Sequence, residues 1–267
     1  MSVRRATLAL DLDAVEARGL ALGLRQAWRL RLPSAQIAAW REAFGSVGHS
    51  LAVSVPRFAL LQGGSLKASG DAEAVHLVVI APSPATAEAC LGDEVSNAAR
   101  VEGDDPAALA RTVAAHRRLG AAYGYPPCCV NAFVDGWLAA VTGQRPDLAE
   151  NALLILRAHL RSQAWHPLLG GFAAGLGEQS PSPLRHLPCR FDCPPSIDLA
   201  ERLAADLRQR NPAFADRQDR APGRSLWLHA DGRLVPVVAG ETVVGAPEQG
   251  PAASADQRLP VLLPFGG

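Results

Sequence analysis

Four cysteines are the residues best suited to chemistry in this chain: the adjacent Cys128 and Cys129, and Cys189 and Cys193 with three residues between them. Each pair stands at an expected helix entrance. Pro127 suits a first helical position, which puts Cys128 and Cys129 in the first turn. Residues just before proline avoid the helix, so Cys193 belongs outside a helix that begins at Pro194 or Pro195 and runs to about Arg210. Backbone N–H groups at a helix start lack helical partners, and the macrodipole is positive there. Both effects favour thiolate over thiol. Pro126, Pro127, Pro188, Pro194 and Pro195 frame the four residues and fix the entry of the backbone.

Three chemistries use such a set. An iron–sulfur cluster commonly takes four thiolates. A zinc ion also takes four, with sulfurs roughly 3.8 Å apart when Zn–S bonds are about 2.3 Å. Adjacent cysteines are awkward for one small ion, because neighbouring side chains at a helix start point about 100° apart. Neither pair has the Cys-x-x-Cys spacing of a zinc knuckle. The expectation is therefore an iron–sulfur cluster, 4Fe–4S first, held by Cys128, Cys129, Cys189 and Cys193. It would serve an oxidoreductase or lyase acting on a small molecule or modified amino acid. If three thiolates bind, one iron is left open for substrate. The alternatives are a zinc-stabilised binding or structural module, and a metal-free thiol–disulfide oxidoreductase with a vicinal Cys128–Cys129 disulfide. Cys90 has no proline frame and no second cysteine nearby, and reads as a small core hydrophobe.

Polar residues beside the pairs are the candidate catalytic groups. His186 precedes Cys189 by three residues and could act as ligand, donor to a cluster sulfur or acid/base. Arg190 could neutralise cluster charge or bind a carboxylate, with Asp192 beside it. Tyr125 and Asn131 flank the first pair and offer hydrogen bonds, while Ser196 reads as a cap. His159 and His166 read as helix-surface histidines. No dinucleotide fingerprint, phosphate-binding loop or Gly-x-Ser-x-Gly is present.

The stretches Gly124-Tyr125-Pro126-Pro127-Cys128-Cys129 and His186-Leu187-Pro188-Cys189-Arg190-Phe191-Asp192-Cys193-Pro194-Pro195-Ser196 resemble an uncharacterised prokaryotic family. Its members carry Gly-Tyr-Pro-x-Cys-Cys followed by His-x-Pro-Cys-x-x-x-Cys-x-x-Ser. The resemblance covers roughly a third of the chain. It implies that Cys128, Cys129, His186, Cys189, Cys193 and Ser196 share one site. The adjacent pair is also similar to the Cys-Cys-Gly motif of the cysteine-rich domains of heterodisulfide reductases, with Val130 at the glycine position.

The elements that must position these residues read as a mixed α+β fold, helix-rich in the middle, with a small sheet and a C-terminal hairpin. Helices are expected over Asp13–Arg29, from a Ser34 cap to Gly45, over Ala107–Ala122, from Pro127 to about Val141, and over Asp147–Ser162 with Leu153, Leu154, Leu156 and Leu160 as its core side. Leu51–Leu61 and the apolar His76–Ile80 read as strands, with a Gly/Ser-rich turn over Gln62–Ser69. Trp165–Leu176 reads as a loose helix or loop. Arg224–His229 and Arg233–Val238 flank Ala230-Asp231-Gly232 as a hairpin. The expected regions are 1–104 (N-terminal α/β), 105–212 (helical, carrying the cysteine motifs) and 213–267 (hairpin and tail), forming one compact unit. Its 26 basic and 26 acidic residues cancel, which argues against nucleic acid as a partner. No segment reaches the roughly 18 apolar residues of a membrane span. Asp11, Asp13 and Glu16 interrupt any signal peptide, so a cytoplasmic setting is expected. The expected partner is a small-molecule substrate or a redox partner.

Overall fold

A computed structural model describes residues 15–60, 66–70, 74–98, 105–143, 150–164, 166–169, 182–219, 224–228, 234–238 and 261–263. The fold is α+β, and the chain divides into two units, Met1–Gly143 and Gln144–Gly267.

The first unit is built on an antiparallel sheet. Its strands are β1 (Trp28–Leu32), β2 (Ser50–Leu60), β3 (Leu66–Ala68) and β4 (Val75–Ala81), in the order β1-β4-β2-β3. Strand β4 is central, and Leu77 to Ala81 are all fully buried. That explains its continuous apolar run, because both faces of the strand are covered. Val78 and Ile80 pack with Trp28, Leu32, Trp40 and Phe44 on one side. Val79 and Ala81 pack with Ala27, Ala87, Cys90, Leu119 and Tyr123 on the other. Cys90 is thus a core residue, as its sequence context suggests, and burial pushes its thiol pKa up. The first face is covered by helices α1 (Val15–Ala21) and α2 (Ser34–Gly45), the second by α3 (Pro84–Ala98) and α4 (Pro106–Ala122). Helix α5 (Pro127–Val141) follows α4 directly.

Three readings of this unit are corrected. The helix expected over Asp13–Arg29 ends at Ala21; Gly23 takes a φ of 67°, and Trp28–Leu32 is a strand. Alternation of Trp28, Leu30 and Leu32 with Arg29 and Arg31 is the period-two signal that overrides it. Ser34 does not cap α2: Pro33 holds the cap position, and Ser34 Oγ meets His76 Nε2 at 3.1 Å. Within the expected Gln62–Ser69 turn, Leu66–Ala68 forms an edge strand paired with Phe58–Leu60. Helix α3 is an additional element. Its start is written in Ser83-Pro84, where Ser83 Oγ accepts from Thr86 N at 3.2 Å and Pro84 opens the first turn.

Helices α4 and α5 meet through a glycine. A Cβ on Gly120 would lie 2.4 Å from Val130 Cγ2, one residue beyond Cys129. Gly120→Ala is expected to cost about 1–3 kcal/mol by overpacking. Chemical denaturation of Gly120→Ala and of the double variant with Val130→Ala checks this, since the second change should restore most of the loss.

The second unit holds α6 (Glu150–Arg161), α7 (Pro194–Arg210), α8 (Pro212–Asp219) and a sheet of β5 (Arg224–Leu228), β6 (Leu234–Val238) and β7 (Val261–Leu263). Strands β5 and β6 pair antiparallel as the hairpin requires; its turn, Ala230-Asp231-Gly232, lies outside the described residues. So does most of Trp165–Leu176. Leu153, Leu154, Ile155 and Ala158 form the buried side of α6; Leu199, Leu203 and Leu207 form that of α7. Leu160, counted on the core side of α6 from its spacing, is instead 73% exposed.

Candidate metal centre

The connection between α4 and α5 is tied at both ends. Tyr123 N donates to Leu119 O and Tyr125 N to Gly120 O, each at 2.8 Å. Gly124 between them takes a φ of 70° and lies against Leu24 O, 2.1 Å from where a Cβ would stand. Pro126 is then the cap and Pro127 the first residue of α5, as expected. Cys129 N and Val130 N donate to Pro126 O at 2.9 and 3.0 Å. The two cysteines therefore occupy the first turn, Cys128 exposed and Cys129 buried. Their sulfurs are 4.0 Å apart.

The second pair sits on a tight turn before α7. Cys193 N donates to Arg190 O at 3.2 Å, and Ile197 N donates to Cys193 O at 2.9 Å, so Cys193 is the cap of α7 and lies outside it as expected. Phe191 anchors the turn. It is fully buried; its N–H donates to Ser162 Oγ at 2.5 Å and its carbonyl accepts from His166 N at 3.0 Å. Cys193 is buried and Cys189 half-buried.

Together Cys128, Cys129, Cys189 and Cys193 place all four sulfurs within 4.8 Å of one another. No disulfide joins any of the five cysteines. Among the described residues, no histidine or carboxylate joins this group.

The neighbouring polar residues divide by what they touch. His186 and Ser196 are buried, with His186 Nε2 and Ser196 Oγ 3.1 Å apart. This hydrogen bond ties the segment before Cys189 to the first turn after Cys193. Arg190 Nη2 donates to Asp192 Oδ2 at 2.6 Å, and the same oxygen accepts from Gln163 N and Ala164 N at 3.0 and 3.3 Å. Asp192 thus clamps the turn. The Arg190 guanidinium has its pKa raised, first by that carboxylate and also by nearby Cys189 and Cys193. It supplies positive charge where thiolates would gather. Asn131 is exposed on α5, and Tyr125 lies under Arg25, whose Cζ is 6.0 Å from the ring centroid. His166 Nε2 lies 3.7 Å from Glu201, and burial lowers the pKa of His159.

The Arg190 hydrogen bond, with the two N–H donors, holds the Asp192 carboxyl at about 2, below its ordinary 3.8. A depressed carboxyl contributes stability that is complete above about pH 4 and lost as pH falls through about 2. An NMR titration of the Asp192 side chain should give a midpoint near 2. A midpoint near 3.8 would mean that the clamp is absent in solution.

Sequence reasoning missed Arg25, Glu94 and Tyr123. Glu94 is buried on α3, accepts from Arg29 Nη1 at 3.0 Å and from the Tyr123 hydroxyl at 2.7 Å. The signal available for Arg29 was its place in the alternation of β1; for Arg25 there was none.

The fold and site define an α+β protein with a four-cysteine group able to hold a metal ion. Comparison with protein-family models, curated proteins and solved structures gives no match. No helix among the described residues is long and apolar enough to cross a membrane.

Proposed function

We propose that the chain is a tetrathiolate metal protein and that Cys128, Cys129, Cys189 and Cys193 take one tetrahedral ion, zinc first. The carrying observation is the 4.8 Å limit on sulfur separations. Thiolates around one zinc stand roughly 3.8 Å apart, so small side-chain rotations close the shell. Thiolates on the four corners of a cubane stand roughly 6 Å apart, because each belongs to a different iron. A 4Fe–4S cluster would therefore have to push this group open. The objection drawn from adjacency in sequence is weakened by the 4.0 Å between Cys128 and Cys129 sulfurs.

A closed four-thiolate shell supports a structural role. The chain's own residues assist it: the starts of α5 and α7 present positive dipole ends, and Arg190 adds a full charge against the net negative shell. The His186–Ser196 hydrogen bond and the Asp192 clamp hold the Cys189–Cys193 turn in place.

One observation favours a second reading, the iron–sulfur enzyme. Cys128 is exposed, so a substrate could reach or displace that ligand. In that reading His186 and Arg190 are the nearby acid/base and anion-binding groups, in an intracellular protein of the Gly-Tyr-Pro-x-Cys-Cys type. Anaerobic purification under iron-replete conditions separates the two. One zinc per chain in a colourless protein supports the first reading. Brown protein containing iron and sulfide rejects it for the second. Metal-free protein with a reversible two-electron thiol couple rejects both.

A further inference from the structure

A hydroxyl and an imidazole meet in the first unit, far along the chain from the cysteines. Pro33 turns the backbone from β1 into α2, so Ser34 stands at the first helical position, where it is exposed. Its hydroxyl takes no part in capping. No side chain hydrogen-bonds into the cap of α2, and Ser34 Oγ lies 3.1 Å from His76 Nε2.

The sheet sets the imidazole. His76 on β4 is paired with Leu32 of β1 on one side and with Arg57 of β2 on the other. The register of β2 shifts between Val53 and Arg57. Ser54 lies inside that irregularity and is buried. Its Oγ accepts from Leu77 N at 3.0 Å, and its carbonyl oxygen lies 2.8 Å from His76 Nδ1. Irregularities of this kind re-aim groups on a sheet and recur beside active sites. A carbonyl only accepts, so Nδ1 carries the ring hydrogen and donates. The neutral imidazole then has its lone pair on Nε2, and the Ser34 hydroxyl donates to it.

Nucleophile, base and orienting group thus form one line, from Ser34 Oγ to His76 Nε2 and from His76 Nδ1 to the Ser54 carbonyl. That order is the one that activates a serine. The start of α2 adds backbone N–H groups without intrahelical partners and the positive end of the helix dipole, both suited to a developing oxyanion. We infer that Ser34 and His76 are a nucleophilic pair that hydrolyses a small carboxylic ester. Ser34 is exposed, so an ester carbonyl reaches Oγ from solvent and no cavity has to open. Oγ bonds to the carbonyl carbon while its proton passes to Nε2. The ester C–O bond then breaks, and Nε2 returns the proton to the departing alcohol. Water, giving a proton to the same nitrogen, releases the acid and restores Ser34. One ester and one water become one acid and one alcohol. The inference is independent of which metal the cysteines hold.

Two probes on the full-length protein test it. A fluorophosphonate loses fluoride when it bonds to an activated serine, and peptide mapping by mass spectrometry locates the adduct. It is expected on Ser34, and His76→Gln should slow its formation by about 100-fold. Hydrolysis of p-nitrophenyl acetate should continue beyond one equivalent per chain and fall at least about tenfold in Ser34→Ala. Labelling of the wild-type chain decides the matter even if His76→Gln fails to fold, and Ser34 is exposed, so its variant reports as well. The inference is overturned if Ser34 carries no adduct, if folded His76→Gln is labelled at the wild-type rate, or if Ser34→Ala hydrolyses the ester as fast as the wild type.

Discussion

Cys193→Ser should lower the affinity for zinc by roughly 10²–10³, because one of four thiolates carries about a quarter of a binding free energy on the order of 10–16 kcal/mol. Competition with a chromogenic chelator at neutral pH measures this. Cys193 is the strongest choice because it is buried, caps α7 and follows the Phe191 anchor, so a serine there cannot swing out to let water complete the shell. Cys129→Ser should behave alike, being buried in the first turn of α5. Cys128 is exposed, and its substitution should cost less, since water can reach the vacated position. Cys90→Ser is the control. Cys90 packs against Ala87 and Leu119 in the sheet core, so the variant should lose stability and keep its metal. Equal metal loss in all four variants would point to unfolding rather than ligation.

The second large effect lies in the backbone before the first pair. Gly124→Ala should destabilise the protein by at least about 3 kcal/mol, combining a left-handed conformation that costs roughly 1–2 kcal/mol with a collision against a backbone carbonyl. Leu24 O would lie 2.1 Å from the new Cβ and cannot rotate away as a side chain could. Gly23→Ala separates the two contributions. Gly23 also has a positive φ, of 67°, but nothing lies within 4 Å of its Cβ position. It should therefore lose only the conformational part, about 1 kcal/mol. Denaturant titrations of both variants measure the difference. If the two lose equally, the contact of Gly124 with the segment after α1 is absent in solution.

Much of the site was legible because it is made of local signals. Pro127 and Pro194 announce helix starts, and both helices begin where those residues stand. The cysteines gather as expected because those starts present all four sulfurs to one another. The choice between one ion and a cluster was not legible. It depends on side-chain torsions, which set the 4.0 Å between neighbouring sulfurs, whereas spacing gives only a mean angle between neighbours. Arg25 was illegible for a related reason. The room for its side chain is left by Gly19, six residues earlier, and by Gly124, far along the chain, whose missing side chains no local pattern announces. The first fold error has a simple origin: helical spacing of Val15, Leu20 and Trp28 ran across Gly23, and the alternation of β1 was read as part of it. Asp192 shows how a candidate role changes in context. Between two cysteines it suggests chemistry, yet both of its oxygens are engaged in holding the turn.

X-ray absorption at the metal edge of the loaded, full-length protein tests the central claim most directly. One shell of four sulfurs at about 2.3 Å, with no second metal nearby, is the expected result. An iron edge with a metal–metal vector, as in a sulfide-bridged cluster, would contradict it.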